Sequence, residues 1–177
     1  MHGIQHEEAM LILKAKIKEG INDSQFNDII KACGGIPLML TLAASFIGVE
    51  DKKQEAYSRL MQKKHKWTGD EFEEMHCVFA YDALPRQCKD PFLDVCAYFN
   101  GWKWDIVQDI VGKDELRMLE SRAFVTKATN GVASVQDVIL TLARQKSEEE
   151  SNGKEVRKIF TSARELKKFL EEEVTNL

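Results

Sequence analysis

Two short stretches hold residues whose types and order could bind a ligand. Gly34-Gly35-Ile36-Pro37-Leu38-Met39-Leu40 joins a paired-glycine break to a proline that opens a strongly apolar helix. A rigid ring at a helix start offers a flat apolar surface to a base, and Gly35 lets a ligand approach the backbone closely. The same run also reads as a helix–turn–helix corner inside a core, and the residues alone leave both readings open. Roughly a hundred residues later, Val135-Gln136-Asp137 stands at the mouth of another apolar helix. Gln136 could reach a phosphate oxygen there, because a helix N-terminus suits anions. The bland alternative has Val135 ending a strand, Asp137 capping the helix and Gln136 facing water.

Other chemistry finds no such pattern. There is no local Ser/His/Asp or Cys/His grouping, and the carboxylates are spread along helix faces. No G-x-x-x-x-G-K-[ST] loop exists to cradle a triphosphate, and no apolar strand ends in acidic residues that would hold Mg²⁺. The expectation is a chain that is not an enzyme and does not hydrolyse ATP alone. Cys33, Cys77, Cys88 and Cys96 lack C-x-x-C spacing, and His2, His6, His65 and His76 make no metal-ligand pattern with them, although His76 adjoins Cys77. Cys33, Cys88 and Cys96 fall on apolar stripes, so buried structural thiols in a reducing compartment are expected. Lys63-Lys64-His65-Lys66 reads either as a nuclear-import or phosphate patch or as a solvated helix end. Trp102 and Trp104 read either as an interaction surface or as packing.

The elements that must position these residues are mostly helical. Met10, Leu13 and Ile17 repeat at helical spacing up to Gly20. Asn22-Asp23-Ser24 supplies an N-cap for a helix through Phe26, Ile29, Ile30 and Cys33, which ends at the glycine pair. Leu38 to Ile47 is apolar nearly all round, the mark of a central helix, and Gly48 is expected to close it. A fourth helix, about 51–64, carries Ala56, Tyr57, Leu60 and Met61 on one face, completing a small four-helix bundle over about 1–66. Trp67-Thr68-Gly69 marks a boundary, and Asp70 with Glu73 resembles a capping box. Stripes follow at Phe72, Met75 and Phe79, then at Cys88, Phe92, Val95, Cys96 and Phe99, at Trp104, Val107 and Val111, and at Leu116 and Leu119. Phe124-Val125-Thr126 and Val132-Ala133-Ser134 flank Asn130-Gly131, a strong hairpin signal. Asp137 then opens a helix burying Val138, Ile139, Leu142 and Ala143. Helices, one short β-hairpin and a closing helix over about 70–146 suggest a winged-helix variant. Residues 147–154 read as a polar, mobile link, and 162–173 as a last amphipathic helix with Leu166, Phe169 and Leu170. The fold class expected is therefore mainly α, a small four-helix bundle followed by a winged-helix domain.

Composition agrees with this and narrows the function. Over 177 residues the apolar share is 44% and the charged share 31%, as in soluble globular domains. A net charge of −4 argues against nucleic acid as a partner, which usually demands a basic surface. No apolar run approaches the ~18 residues of a membrane span. The start, with His2, His6, Glu7 and Glu8, is not a signal peptide, so a cytoplasmic protein without a membrane partner is expected.

With these residues in view, the chain resembles plant nucleotide-binding leucine-rich-repeat resistance proteins of the NB-ARC class. The likeness runs from their helical ARC subdomain (1–66) through their winged-helix ARC subdomain (70–146). Residues 35–40 resemble the family's Gly-Leu-Pro-Leu-Ala-Leu motif, and Tyr81-Asp82-Ala83-Leu84-Pro85 with Pro91 to Phe99 resembles its Tyr-Asp-x-Leu-Pro and Cys-Phe-Leu stretches. Residues 135–137 sit where the family has Met-His-Asp, and Glu7-Glu8-Ala9 resembles the start of its helical subdomain. Residues 147–177 look like the connector toward leucine-rich repeats. The ordered set is specific although no single motif is.

The resemblance implies a regulatory switch in defence signalling. Pro37 would pack on the adenine of ADP, Gln136 would replace the histidine that contacts the β-phosphate, and Asp137 would brace the loop. Glutamine keeps a hydrogen-bond donor but loses an imidazole that can carry charge. Exchange of ADP for ATP would free the winged unit and let the receptor oligomerise. The implied partners are a nucleotide-binding domain before residue 1 and leucine-rich repeats after residue 177, so this chain by itself is expected to hold ADP too weakly to matter. Two rivals stand beside this reading. A winged-helix nucleic-acid-binding module would need a basic recognition helix, whereas about 113–122 mixes Lys113, Arg117 and Arg122 with Asp114, Glu115 and Glu120. A truncated receptor acting as a protein-interaction partner would instead bind an intact receptor.

Overall fold

A computed structural model of the chain describes residues 4–64, 72–150, 157–160 and 165. The protein is mainly α-helical with a single small antiparallel sheet among the described residues. Its helices are α1 (His6–Lys16), α2 (Asp23–Ala32), α3 (Pro37–Val49), α4 (Lys53–Lys64), α5 (Phe72–Asp82), α6 (Arg86–Asp94), α7 (Trp104–Val111), α8 (Lys113–Ser121) and α9 (Asp137–Glu150). Two compact units arise, one of Met1–Pro85 with Met118–Phe124, the other of Arg86–Arg117 with Val125–Leu177.

In the first unit, α3 forms the centre because its sequence leaves no polar face. Met39, Leu40, Leu42, Ala43, Ala44, Phe46 and Ile47 are all buried, and α1, α2, α4 and α5 pack around it. α1 contributes Ala9 and Leu13, and Ile17 just after it is buried too. Met10, expected in the stripe, is half-buried, while Ala9 beside it is fully buried. α2 starts with a full capping box: Gln25 N donates to Asn22 Oδ1 at 2.9 Å, and Asn22 N donates to Gln25 Oε1 at 3.1 Å. α4 buries Ala56 and Leu60, and Tyr57 donates its hydroxyl to Asp28 Oδ2 at 2.9 Å. α5 lays Phe79 edge-on against Phe46, 4.9 Å between centroids.

Gly48 does not end α3, which continues to Val49. Glycine is required there for proximity: a Cβ would lie 2.7 Å from the carbonyl oxygen of Lys16 at the end of α1. The pattern of a lone glycine near a helix end reads as a stop, but its cause is a neighbour far away in sequence.

The second unit departs from sequence periodicity in three places. The stripe from Cys88 to Phe99 is one α-helix, α6, that widens into a π-helix over Val95–Phe99. The strands are shorter and later than expected: β1 (Thr126–Lys127) pairs with β2 (Ala133–Ser134) in the register Thr126 to Ser134 and Lys127 to Ala133. Phe124 and Val125 are buried before the strand begins. Around Asn130-Gly131 the turn closes through Ala128 N to Val132 O at 2.9 Å and Gly131 N to Ala128 O at 2.9 Å. The hairpin also gains a neighbour that the sequence hid. Gly101 N bonds Ala133 O, Ala133 N bonds Trp102 O, and Trp104 N bonds Gly131 O, at 2.8, 2.8 and 2.9 Å. Finally, α9 runs on through residues 147–150, expected to be a mobile link. Ser147 is buried and donates to the Arg157 carbonyl at 3.3 Å, so a residue that reads as polar linker is part of the packing. The boundary at Trp67-Thr68-Gly69, the Asp70 cap, residues 151–154 and the 162–173 helix apart from Glu165 lie outside the described residues.

Candidate functional site

The Pro37 corner is built from two consecutive left-handed residues. Gly34 and Gly35 have φ of 59° and 68°, a conformation that costs glycine nothing. Gly35 N donates to Ile30 O and Gly34 N to Lys31 O, each at 3.3 Å, which is the double closure of a Schellman cap on α2. The second left-handed residue turns the chain so that Ile36 caps and Pro37 begins α3 at once. Thr41 Oγ1 then bonds the Pro37 carbonyl at 2.8 Å. Pro37 is exposed, although it heads the most apolar helix of the protein.

Two residues fix this corner from outside it. Ile4 N donates to the Gly35 carbonyl at 3.0 Å. The buried His76, on α5, lies with Nε2 3.1 Å from the Ala32 carbonyl at the end of α2. A carbonyl only accepts, so Nε2 carries the proton. Burial lowers the His76 pKa to about 4, against a smaller opposing effect of that hydrogen bond. The ring is therefore neutral at pH 7 and braces the glycine corner without adding charge. In the sequence His76 stands out only as a neighbour of Cys77, and a lone histidine on a helix gives no sign of a carbonyl 44 residues away.

Gln136 is exposed between β2 and α9, and its carbonyl accepts the first helical bond, from Leu140 N at 3.0 Å. It therefore occupies the capping position itself. Asp137, expected as the cap, is the first helical residue, where its carboxylate still complements the positive end of the helix. Before Gln136, Val135 is buried and donates its N–H to Asn100 Oδ1 at 3.1 Å. Asn100 thus ties the end of the π-helix to the loop carrying Gln136. In the sequence, Asn100-Gly101 reads only as a helix stop.

Pro37 lies in the first unit and Gln136 in the second, each exposed at the head of its own helix. Other residues resolve as follows. Cys33, Cys77, Cys88 and Cys96 are all buried, and burial raises the Cys33 and Cys96 thiols far above the range where a thiolate forms. Trp104 is buried and Trp102 half-exposed, so one of the pair packs while the other meets solvent. Lys63 is exposed; His65 and Lys66 lie outside the described residues. Among the described residues no group of His, Cys, Asp and Glu is placed to hold a metal, and no helix is long and apolar enough to cross a membrane.

Comparison with known proteins adds one similarity. Over 134 residues the chain is 23% identical to disease resistance protein RPP4 of Arabidopsis thaliana; the match covers 75% of this chain and 11% of that protein. The chain thus spans about a tenth of the length of the relative it matches. No family model matches the chain.

Proposed function

We propose that the protein is the regulatory switch portion of a plant intracellular immune receptor, helping to hold ADP in a resting state and coupling nucleotide exchange to assembly. The observation that carries this reading is Pro37: a rigid apolar ring left exposed at the first turn of the core helix, directly after two left-handed glycines and Ile36. Gln136 supports the reading, since it presents a neutral donor at the positive end of a 14-residue helix. Similarity to a plant disease resistance protein across three quarters of the chain agrees with it. In this reading residues 1–66 make a helical subdomain and residues 70–146 a winged-helix subdomain, and a neighbouring nucleotide-binding domain supplies the phosphate loop. Pro37 stacks on adenine and Gln136 donates to the β-phosphate; neither performs bond chemistry, and the protein is not an enzyme. ADP and ATP are then ligands of the intact receptor in the cytoplasm, with leucine-rich repeats and further receptor copies as partners.

The test is a chimera joining this chain to the nucleotide-binding domain of a plant resistance receptor, with retained ADP measured after desalting. Gln136→Ala is expected to weaken ADP about tenfold, the value of one hydrogen bond to a charged acceptor. Gln136→His is expected to strengthen it below pH 6.5, where an imidazole gains charge. Equal ADP retention after replacing both Pro37 and Gln136 would sink the proposal.

A further inference from the structure

We infer that residues 157–160 form a releasable strap, held on α6 and α9 by a clasp of two arginines and able to detach without unfolding either helix. This inference stands apart from the nucleotide reading. Asp90 and Asp94 are one turn apart on α6, so their carboxylates share a face. Arg157 bridges both: Nη2 donates to Asp90 Oδ1 at 3.0 Å and Nε to Asp94 Oδ1 at 2.7 Å. On α9, Arg144 holds the strap from the other side, with Nε donating to the Ile159 carbonyl at 3.0 Å and Nη2 to Glu165 Oε2 at 2.6 Å. Ser147, also on α9, donates to the Arg157 carbonyl.

The character of these contacts argues for release. Within 157–160 only Ile159 is fully buried, whereas α6 buries Cys88, Phe92 and Leu93 on its own account and α9 buries Ile139, Leu140, Leu142 and Ala143. The ion pairs are partly hydrated: Arg157 keeps 29% of its side-chain exposure and Asp90 keeps 77%. A groove of about 320 Å³ lined by Arg144, Glu148, Arg157, Lys158, Ile159 and Phe160 brings solvent beside the clasp. Water can therefore replace each partner as the strap leaves, and no charge is stranded in an apolar interior. The open state still carries a penalty, because Asp90 and Asp94 then repel at helical i,i+4 spacing. That repulsion biases the clasp toward closure, and salt screens it. Arginine suits the task because its planar fork spans two carboxylates, which a point-charged lysine does not.

Trypsin reads the opening directly, since cleavage after Arg157 requires that side chain to leave its carboxylates. The full 177-residue chain is digested under native conditions. Cleavage after Arg157 and Lys158 is followed by mass spectrometry and normalised to a free peptide of the same sequence. Cleavage is expected to rise about tenfold between roughly 50 mM and 1 M NaCl as the pairs are screened. Asp90→Asn with Asp94→Asn is expected to give the fast rate at low salt, to remove the salt dependence and to leave cleavage at Lys89 on α6, normalised to a free peptide carrying the same two substitutions, unchanged. A variant that cleaves at the wild-type rate would overturn the inference. So would parallel acceleration at Lys89, because the clasp would then belong to the fold of the unit. Should the variant fail to fold, the wild-type salt titration decides alone, with Lys89 as its internal reference: a flat Arg157 rate rejects the strap.

Discussion

His76 carries the clearest consequence at the scale of one residue. Its pKa is lowered from 6.5 to about 4 in the folded protein. Between these values the unfolded chain binds a proton that the folded chain refuses, so stability falls as pH falls. Above pH 6.5 both states are neutral and the effect vanishes. From pH 7.5 to pH 5 the loss is expected to be about 2 kcal/mol. His76→Gln, which keeps a donor for the Ala32 carbonyl, should flatten that part of the urea-stability profile. Arg122 gives a second case. Its Nη2 pairs with Glu50 Oε1 at 3.0 Å, while its buried Nε and Nη1 have no partner among the described residues. Glu50→Gln leaves a buried cation under-compensated and is expected to cost about 2–3 kcal/mol in urea denaturation. Combining it with Arg122→Met should recover most of the loss, because the charge is then gone. Neither effect is legible in sequence: position 122 reads as one more solvated arginine, and His76 as one more polar residue beside a cysteine.

At the scale of elements, close approach outweighs propensity. Alanine at position 48 would gain about 1 kcal/mol of helix preference. Its Cβ would also lie 2.7 Å from the Lys16 carbonyl, forcing α1 and α3 apart. Overpacking of this kind costs about 1–3 kcal/mol, so Gly48→Ala is expected to lower the thermal midpoint. Asn100 makes a parallel point in the second unit. Removing its side chain leaves Val135 N–H without its partner, and Asn100→Ala is expected to cost about 1 kcal/mol. Faster amide exchange at Val135 and Gln136, with α9 unchanged beyond its first turn, would be the signature. Element existence was readable because apolar spacing, the Asn22 cap, Pro37 and Asn130-Gly131 are all local signals. The π-helix at Val95–Phe99 was not, since its residues keep a pattern that an α-helix would also fit. Nor was the pairing of 101–104 with β2, which depends on a segment about thirty residues distant.

For the whole molecule, nucleotide affinity is expected to be absent from this chain by itself. Isothermal titration with ADP is expected to give no micromolar binding, because no phosphate loop accompanies Pro37 and Gln136. Saturable micromolar heat would require a site the reading does not contain. What the sequence settled here was the helical class, the order of the elements, the glycine–proline corner and the hairpin turn. Each follows from backbone preferences and apolar spacing acting within a few residues. Tertiary structure alone decided that His76 braces the corner, that Asn100 holds the Gln136 loop, that Ser147 belongs to a packed helix, and that Arg157 bridges two aspartates 63 and 67 residues away. Hydrogen bonds and ion pairs depend on separations of about 3 Å in space, and spacing along the chain carries no measure of that distance once the helices have folded back on one another.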